Sequence, residues 1–132
     1  MPVFQSPGSF RQVSAEVYLQ TPSSVTPSGG ALTLDVGQKN DFQVAALTAN
    51  VTISFTGHTP GNQGFIGIRQ QSTGTPTFTV TFTPPGSYTL MNDSAAGDLV
   101  AATGANSVTL YFYLFATLGS TNFLILSKMV PV

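Results

Sequence analysis

Apolar and polar residues alternate with a period of two along most of the chain, the spacing of a strand with one face buried. In 75–83, Phe78, Val80 and Phe82 fall on one side, and Thr77, Thr79 and Thr81 on the other. Leu32, Leu34 and Val36 alternate in the same way, as do Val51, Ile53 and Phe55, and Ile66 with Ile68 within 64–70. Residues 12–19 read as an earlier strand, with Val13, Ala15, Val17 and Leu19 on one side. β-Branched Thr on the polar sides suits a pleated, half-buried surface.

The last two strands differ. In 108–115, one face holds Val108, Leu110, Phe112 and Leu114, and the other Tyr111, Tyr113 and Phe115; 123–126 is apolar on both faces. Strands of this kind are buried on both sides or have one side covered by another chain. Turn residues separate the runs: 35–41, 58–64, 72–75, the Pro84-Pro85-Gly86 stop, and 119–122, which predicts a hairpin between the last two strands. No stretch of ten residues has a helical period, and 93–103 reads as a loop.

Eight or nine short strands at this spacing predict an all-β domain over 31–132, a β-sandwich or jelly roll of antiparallel strands. Residues 1–30 differ in texture, with Pro2, Pro7, Pro22, Pro27, Gly8, Gly29 and Gly30. They read as an extended N-terminal arm with Phe4 and Phe10 as apolar anchors, either a frayed terminus packed loosely on its own domain or an arm that docks on a neighbouring subunit.

Composition narrows the function. Only 7% of the 132 residues are charged, against about 25% in an average soluble domain. Thr (18) and Ser (13) stand in their place, and the net charge is −1. Four basic residues neutralise few phosphates, which argues against nucleic-acid binding. With no Cys there is no disulfide framework or thiolate metal site. A 42% hydrophobic content argues against disorder. No signal-peptide pattern is read at the N-terminus, and the apolar run 108–118 is too short to span a bilayer as a helix, so no membrane insertion is expected. A surface this poor in charge suits a subunit of a large assembly or a protein that works outside a cell.

Candidate chemistry is sparse, and the expectation is that the chain is not an enzyme and carries no cofactor or metal. His58 stands alone in a Pro/Gly loop with no acidic residue near it in sequence, so it reads as a loop residue rather than a base. With Asn62 and Gln63 it marks a candidate exposed loop. Asp35 with Asp41, and Asp93 with Asp98, flank turns; turn aspartates more often bond their own backbone than a cation. Asn50-Val51-Thr52 and Asn92-Asp93-Ser94 match the N-glycosylation pattern by chance. Tyr111, Tyr113 and Phe115, with Phe123, read as a sheet or subunit interface in preference to a stacking platform, because Tyr favours interfaces and the run is uncharged.

From residue 32 to residue 129 the order of features resembles the small β-sandwich domains of bacteriophage tail-fibre and other tail-associated proteins. Leu32-Thr33-Leu34-Asp35 opens it, and Asn50-Val51-Thr52-Ile53 follows. Next comes a Gly-rich entry into a strand ending in Gln, Gly61-Asn62-Gln63-Gly64-Phe65-Ile66-Gly67-Ile68-Arg69-Gln70. Thr73-Gly74, the 77–83 alternation, Pro85-Gly86 and Ala95-Ala96-Gly97 lead to the aromatic strand, and Thr121-Asn122-Phe123 to the closing one.

The resemblance implies a virion structural protein, assembled in the bacterial host cytoplasm. It implies a tail fibre, tip or receptor-binding type that forms a homotrimer, contacts other tail proteins and reads a host cell-surface glycan. Two other readings stay open. One is a capsid decoration (cement) protein that contacts the major capsid protein. The other is a stand-alone carbohydrate-binding module.

Overall fold

The computed structural model describes residues 21–92 and 99–129. Among these there is no helix, and nine strands form: β1 (Ser23–Val25), β2 (Ala31–Asp35), β3 (Phe42–Val44), β4 (Val51–Thr56), β5 (Gln63–Arg69), β6 (Val80–Phe82), β7 (Tyr88–Asn92), β8 (Val108–Leu118) and β9 (Thr121–Met129). They make a six-stranded sheet in the order β1-β3-β5-β8-β9-β7 and a three-stranded sheet in the order β2-β4-β6.

The expected antiparallel sandwich or jelly roll is not what forms. Five of the seven strand pairings are parallel: β1 with β3, β2 with β4, β3 with β5, β4 with β6, and β7 with β9. Only β5–β8 and β8–β9 are antiparallel. The three-stranded sheet is wholly parallel and the larger one is mixed. Period two records which face is buried and carries no information about the direction of the neighbour.

The parallel pairs arise from how the chain winds. Parallel neighbours need a crossover between them. In four of the five parallel pairs the crossover is a strand of the other sheet: β2 lies between β1 and β3, β3 between β2 and β4, β4 between β3 and β5, and β5 between β4 and β6, whereas β7 and β9 are separated by β8 of their own sheet. The chain is thus a coil, each turn laying one strand on each sheet. The coil ends in the large sheet at β8, which runs antiparallel to β5 and turns through Gly119 (φ 64°) into β9. This is the hairpin the turn residues predict.

The core lies where the apolar sides of the two sheets meet. Leu32 and Leu34 of β2, Val51, Ile53 and Phe55 of β4, and Val80 and Phe82 of β6 are all buried. Opposite them are Phe42, Val44, Ile66, Ile68, Leu124 and Leu126. Rings bridge the sheets: Phe55 stands 6.0 Å from Tyr113 and 5.5 Å from Phe115, and Phe82 stands 4.8 Å from Tyr111, centroid to centroid. Tilted and edge-on pairs at these separations add to the area they bury.

Two sequence expectations need adjustment. The 75–83 alternation becomes a strand only at Val80–Phe82, because side chains take the earlier backbone groups. The buried Gln70 amide donates from Nε2 to the Phe78 carbonyl (2.8 Å) and the Ala102 carbonyl (3.1 Å), and Asn50 Oδ1 accepts from Thr79 N–H (3.0 Å). Part of the expected N-terminal arm belongs to the sheets, since Ser23–Val25 pairs with Phe42–Val44. The candidate strand 12–19, the anchors Phe4 and Phe10, and Asp93 and Asp98 lie outside the described residues.

Candidate assembly surface

Strand alternation divides β8 into two faces with different fates. Tyr111, Tyr113 and Phe115 point into the core and are 0%, 2% and 0% exposed. Each tyrosine hydroxyl finds a backbone acceptor there: Tyr111 donates to the Leu99 carbonyl and Tyr113 to the Asn40 carbonyl, both at 2.6 Å. The expected interface residues Tyr111, Tyr113 and Phe115 are therefore core residues. Of that set only Phe123 lies on the outward face.

The outward face of β8 is the other set, Val108, Leu110, Phe112, Leu114, Ala116 and Leu118. Register carries it into the neighbouring strands. Leu110 stands level with Met129, Leu114 with Ile125 and Ala116 with Phe123 on β9, and Ile125 is level with Met91 on β7. On the other side Phe112 is level with Phe65 of β5, their rings 5.7 Å apart.

Five of the six large apolar side chains exposed among the described residues belong to β7, β8 and β9: Met91, Val108, Phe112, Leu118 and Met129. None of the outward positions on these three strands is charged. Lys128 has the inward parity, and its Nζ donates to the Val100 carbonyl (3.0 Å). Arg69, level with Val108, stands at the border of the patch.

The face has relief. Gly67 leaves a gap between Phe65, Leu110, Ala45 and Arg69, part of a hollow of about 530 Å³. A second hollow of about 310 Å³ lies over Leu114, Ile125, Ser127 and Gln63. Phe112 borders it and stands 37% exposed. No protein element covers this surface among the described residues. A contiguous uncovered apolar patch rimmed by polar residues marks an interaction site.

The other candidates take structural positions. His58 is half-buried, stacked on Phe115 (5.4 Å) and edge-on to Tyr88 (5.0 Å). Asn62 Oδ1 accepts from Thr59 N–H (2.6 Å) and closes the turn, and the loop is tied to β8 by Gly61 N–H to the Phe115 carbonyl and Phe115 N–H to the Asn62 carbonyl. Gln63 is exposed but opens β5. The loop is thus a braced corner and not a free tip. Asp35 Oδ1 accepts from Gly37 N–H (3.1 Å), and Asp41 Oδ1 from Phe65 N–H (3.3 Å), so both aspartates serve the backbone.

Burial first, and then the nearby Asp41 charge, hold the Tyr113 hydroxyl well above the usual phenol range. The proton is bound more tightly in the folded chain than in the unfolded one. Stability is therefore full below the unfolded tyrosine pKa of about 10 and falls as pH rises beyond it. Tyr113→Phe is expected to cost about 1 kcal/mol at neutral pH through the lost hydrogen bond. It is also expected to flatten the alkaline fall. Urea unfolding at pH 7 and across pH 9–12 measures both; an unchanged alkaline slope would assign the fall to other groups.

No protein-family model, curated protein or solved structure matches the chain.

Proposed function

We propose that this protein is a self-associating structural subunit of a bacteriophage virion, of the tail type that its order of motifs resembles. The observation behind it is the uncharged apolar face that β7, β8 and β9 share, continued onto β5 by Phe65. Its occupant is further copies of the same chain. With 9 charged residues in 132 and none at the outward positions of those strands, like copies meet there with little repulsion. The exposed ring of Phe112 and the hollow beside Gly67 give one face both an apolar anchor and a recess, as a self-complementary contact needs. Closed symmetry then covers the patch, and the resemblance favours a trimer.

The test has two parts. Light scattering on the purified full chain is expected to give an oligomer. Phe112→Lys is expected to dissociate it to folded monomers, raising Kd by about 30-fold or more, as for an interface anchor worth about 2 kcal/mol. Antibody labelling of particles is expected to mark the tail end. A monomer at high concentration would sink the assembly reading and favour a stand-alone glycan-binding module. Label spread over the head would replace the tail reading with capsid decoration.

A further inference from the structure

Gly67 is a glycine that the fold itself does not require. It lies inside the seven-residue strand β5, where a glycine packs nothing and loses more chain entropy on folding than any other residue. Its φ is outside the left-handed region, and a Cβ added there would meet nothing closer than 3.8 Å. Gly64 of the same strand differs, since a Cβ there runs into the Asn40 carbonyl. A bare position inside a strand often marks the place where another molecule comes close.

Register fixes what surrounds the gap. Ile66 and Ile68 are buried, so Gly67 has the outward parity. Leu110 of β8 stands level with it on one side and Gln43 of β3 on the other, with Phe65 and Arg69 before and after it on the same face. Phe112, 37% exposed, is level with Phe65. It is therefore the diagonal neighbour of Gly67, about 7–8 Å away. Phe65 and Leu110 occupy the crossing diagonal. Anchor and recess thus lie side by side on one face.

We propose that two copies of this chain pack face to face about a twofold axis, each placing its Phe112 ring in the gap at the other's Gly67. The contact rests on the self-association reading and names its geometry. Two copies laid face to face with the same patch are related by an axis in the plane between them. Let that axis run midway between Phe112 and Gly67, across the line that joins them. Each ring then faces the other copy's gap, and both contacts form at once. Packed sheets stand about 10 Å apart, so a side chain missing from one leaves room for a large one from the other. Phe65 and Leu110 fall close to the axis and meet their own counterparts. Arg69 falls over β9 of the other copy, so the two guanidinium groups do not meet. The trimer rests on the resemblance alone. A threefold ring needs anchor and recess on different sides of the chain, turned toward different neighbours. Here they share a side, which selects the pair.

Light scattering and sedimentation on the full chain test the contact. The unmodified chain is expected to have the mass of two chains. Gly67→Leu fills both recesses and is expected to raise Kd by about 30-fold or more, as for a lost anchor, while keeping a cooperative thermal melt. Phe112→Ala is expected to weaken pairing similarly from the other side. An equimolar mixture of the two variants is expected to pair again, because one Phe112 then meets one open Gly67. Leu110→Cys leaves anchor and recess untouched. With no other Cys in the chain, a short bismaleimide is expected to join it to its own counterpart, and to leave Val100→Cys unlinked. An unmodified monomer would overturn self-association and this contact together. A dimer that Gly67→Leu leaves intact, a mixture that stays monomeric, an unlinked Leu110→Cys or a closed trimer would overturn the contact and leave self-association standing.

Discussion

Phe55→Ala is expected to lower the unfolding free energy by about 3–5 kcal/mol, the range for deleting a buried ring. Total stabilities of single domains are about 5–15 kcal/mol, so this change puts the fold at risk. Phe55 projects from β4 into the centre of the core, where its ring meets Phe82, Tyr113 and Phe115. These neighbours belong to both sheets, so the cavity opens between layers whose strands cannot easily move inward. The hydroxyl of Tyr113 is bonded to the Asn40 carbonyl and keeps its ring from swinging into the space. Urea denaturation followed by circular dichroism measures the loss. Val100→Ala, at a side chain 60% exposed, serves as the control and is expected to shift the midpoint little. Comparable shifts for the two variants would mean that the sheets are not held together through these rings.

Gly64→Ala is the second large effect, and it acts through the backbone. A Cβ at Gly64 would run into the Asn40 carbonyl and stand 2.9 Å from Asp41 Oδ1. Neither group can withdraw freely. The Asn40 carbonyl accepts the Tyr113 hydroxyl, and Asp41 Oδ1 accepts Phe65 N–H. Relieving the clash therefore breaks a bond or separates β3 from β5, whose pairing begins at Phe42 with Ile66. Overpacking together with one lost buried hydrogen bond gives an expected cost of about 2–5 kcal/mol. Gly86→Ala has nothing within 4 Å of the added carbon and is expected to be close to neutral. Thermal unfolding of the pair separates a steric requirement at Gly64 from a general intolerance of alanine for glycine; equal melting temperatures would refute the steric account.

Much of the fold's inward and outward parity was legible in the residues. Leu32, Leu34, Val51, Ile53 and Phe55 are buried as their alternation predicts, and the hairpin at Gly119 forms. Strand direction was not legible, because a strand paired parallel or antiparallel keeps the same two faces. The link 36–41 is as short as a hairpin loop, yet it carries the chain to the opposite sheet. The faces of β8 were assigned correctly as sets; of the two fates left open for Tyr111, Tyr113 and Phe115, the sheet–sheet contact forms and the subunit interface does not. Tyrosine's frequency at interfaces pointed outward for Tyr111 and Tyr113. What decided the matter was the supply of backbone carbonyl acceptors at Leu99 and Asn40, residues distant in sequence. The outward set, Leu110, Phe112 and Leu114 with Ile125 and Met129, carries no motif. Its one sequence signal was that 108–115 and 123–126 are apolar on both sides.

In the first two turns of the coil, Ser23 pairs with Phe42 and Ala31 with Thr52, offsets of 19 and 21 residues. Each turn touches mainly the turn before and the turn after, as in repeat proteins. A tandem duplication of one such unit would add one strand to each sheet and lengthen the molecule by about 4.8 Å. The far side of the large sheet, completed by β8, β9 and β7, would stay as it is. Length can then change by whole turns with the apolar face of β7, β8 and β9 carried along unaltered.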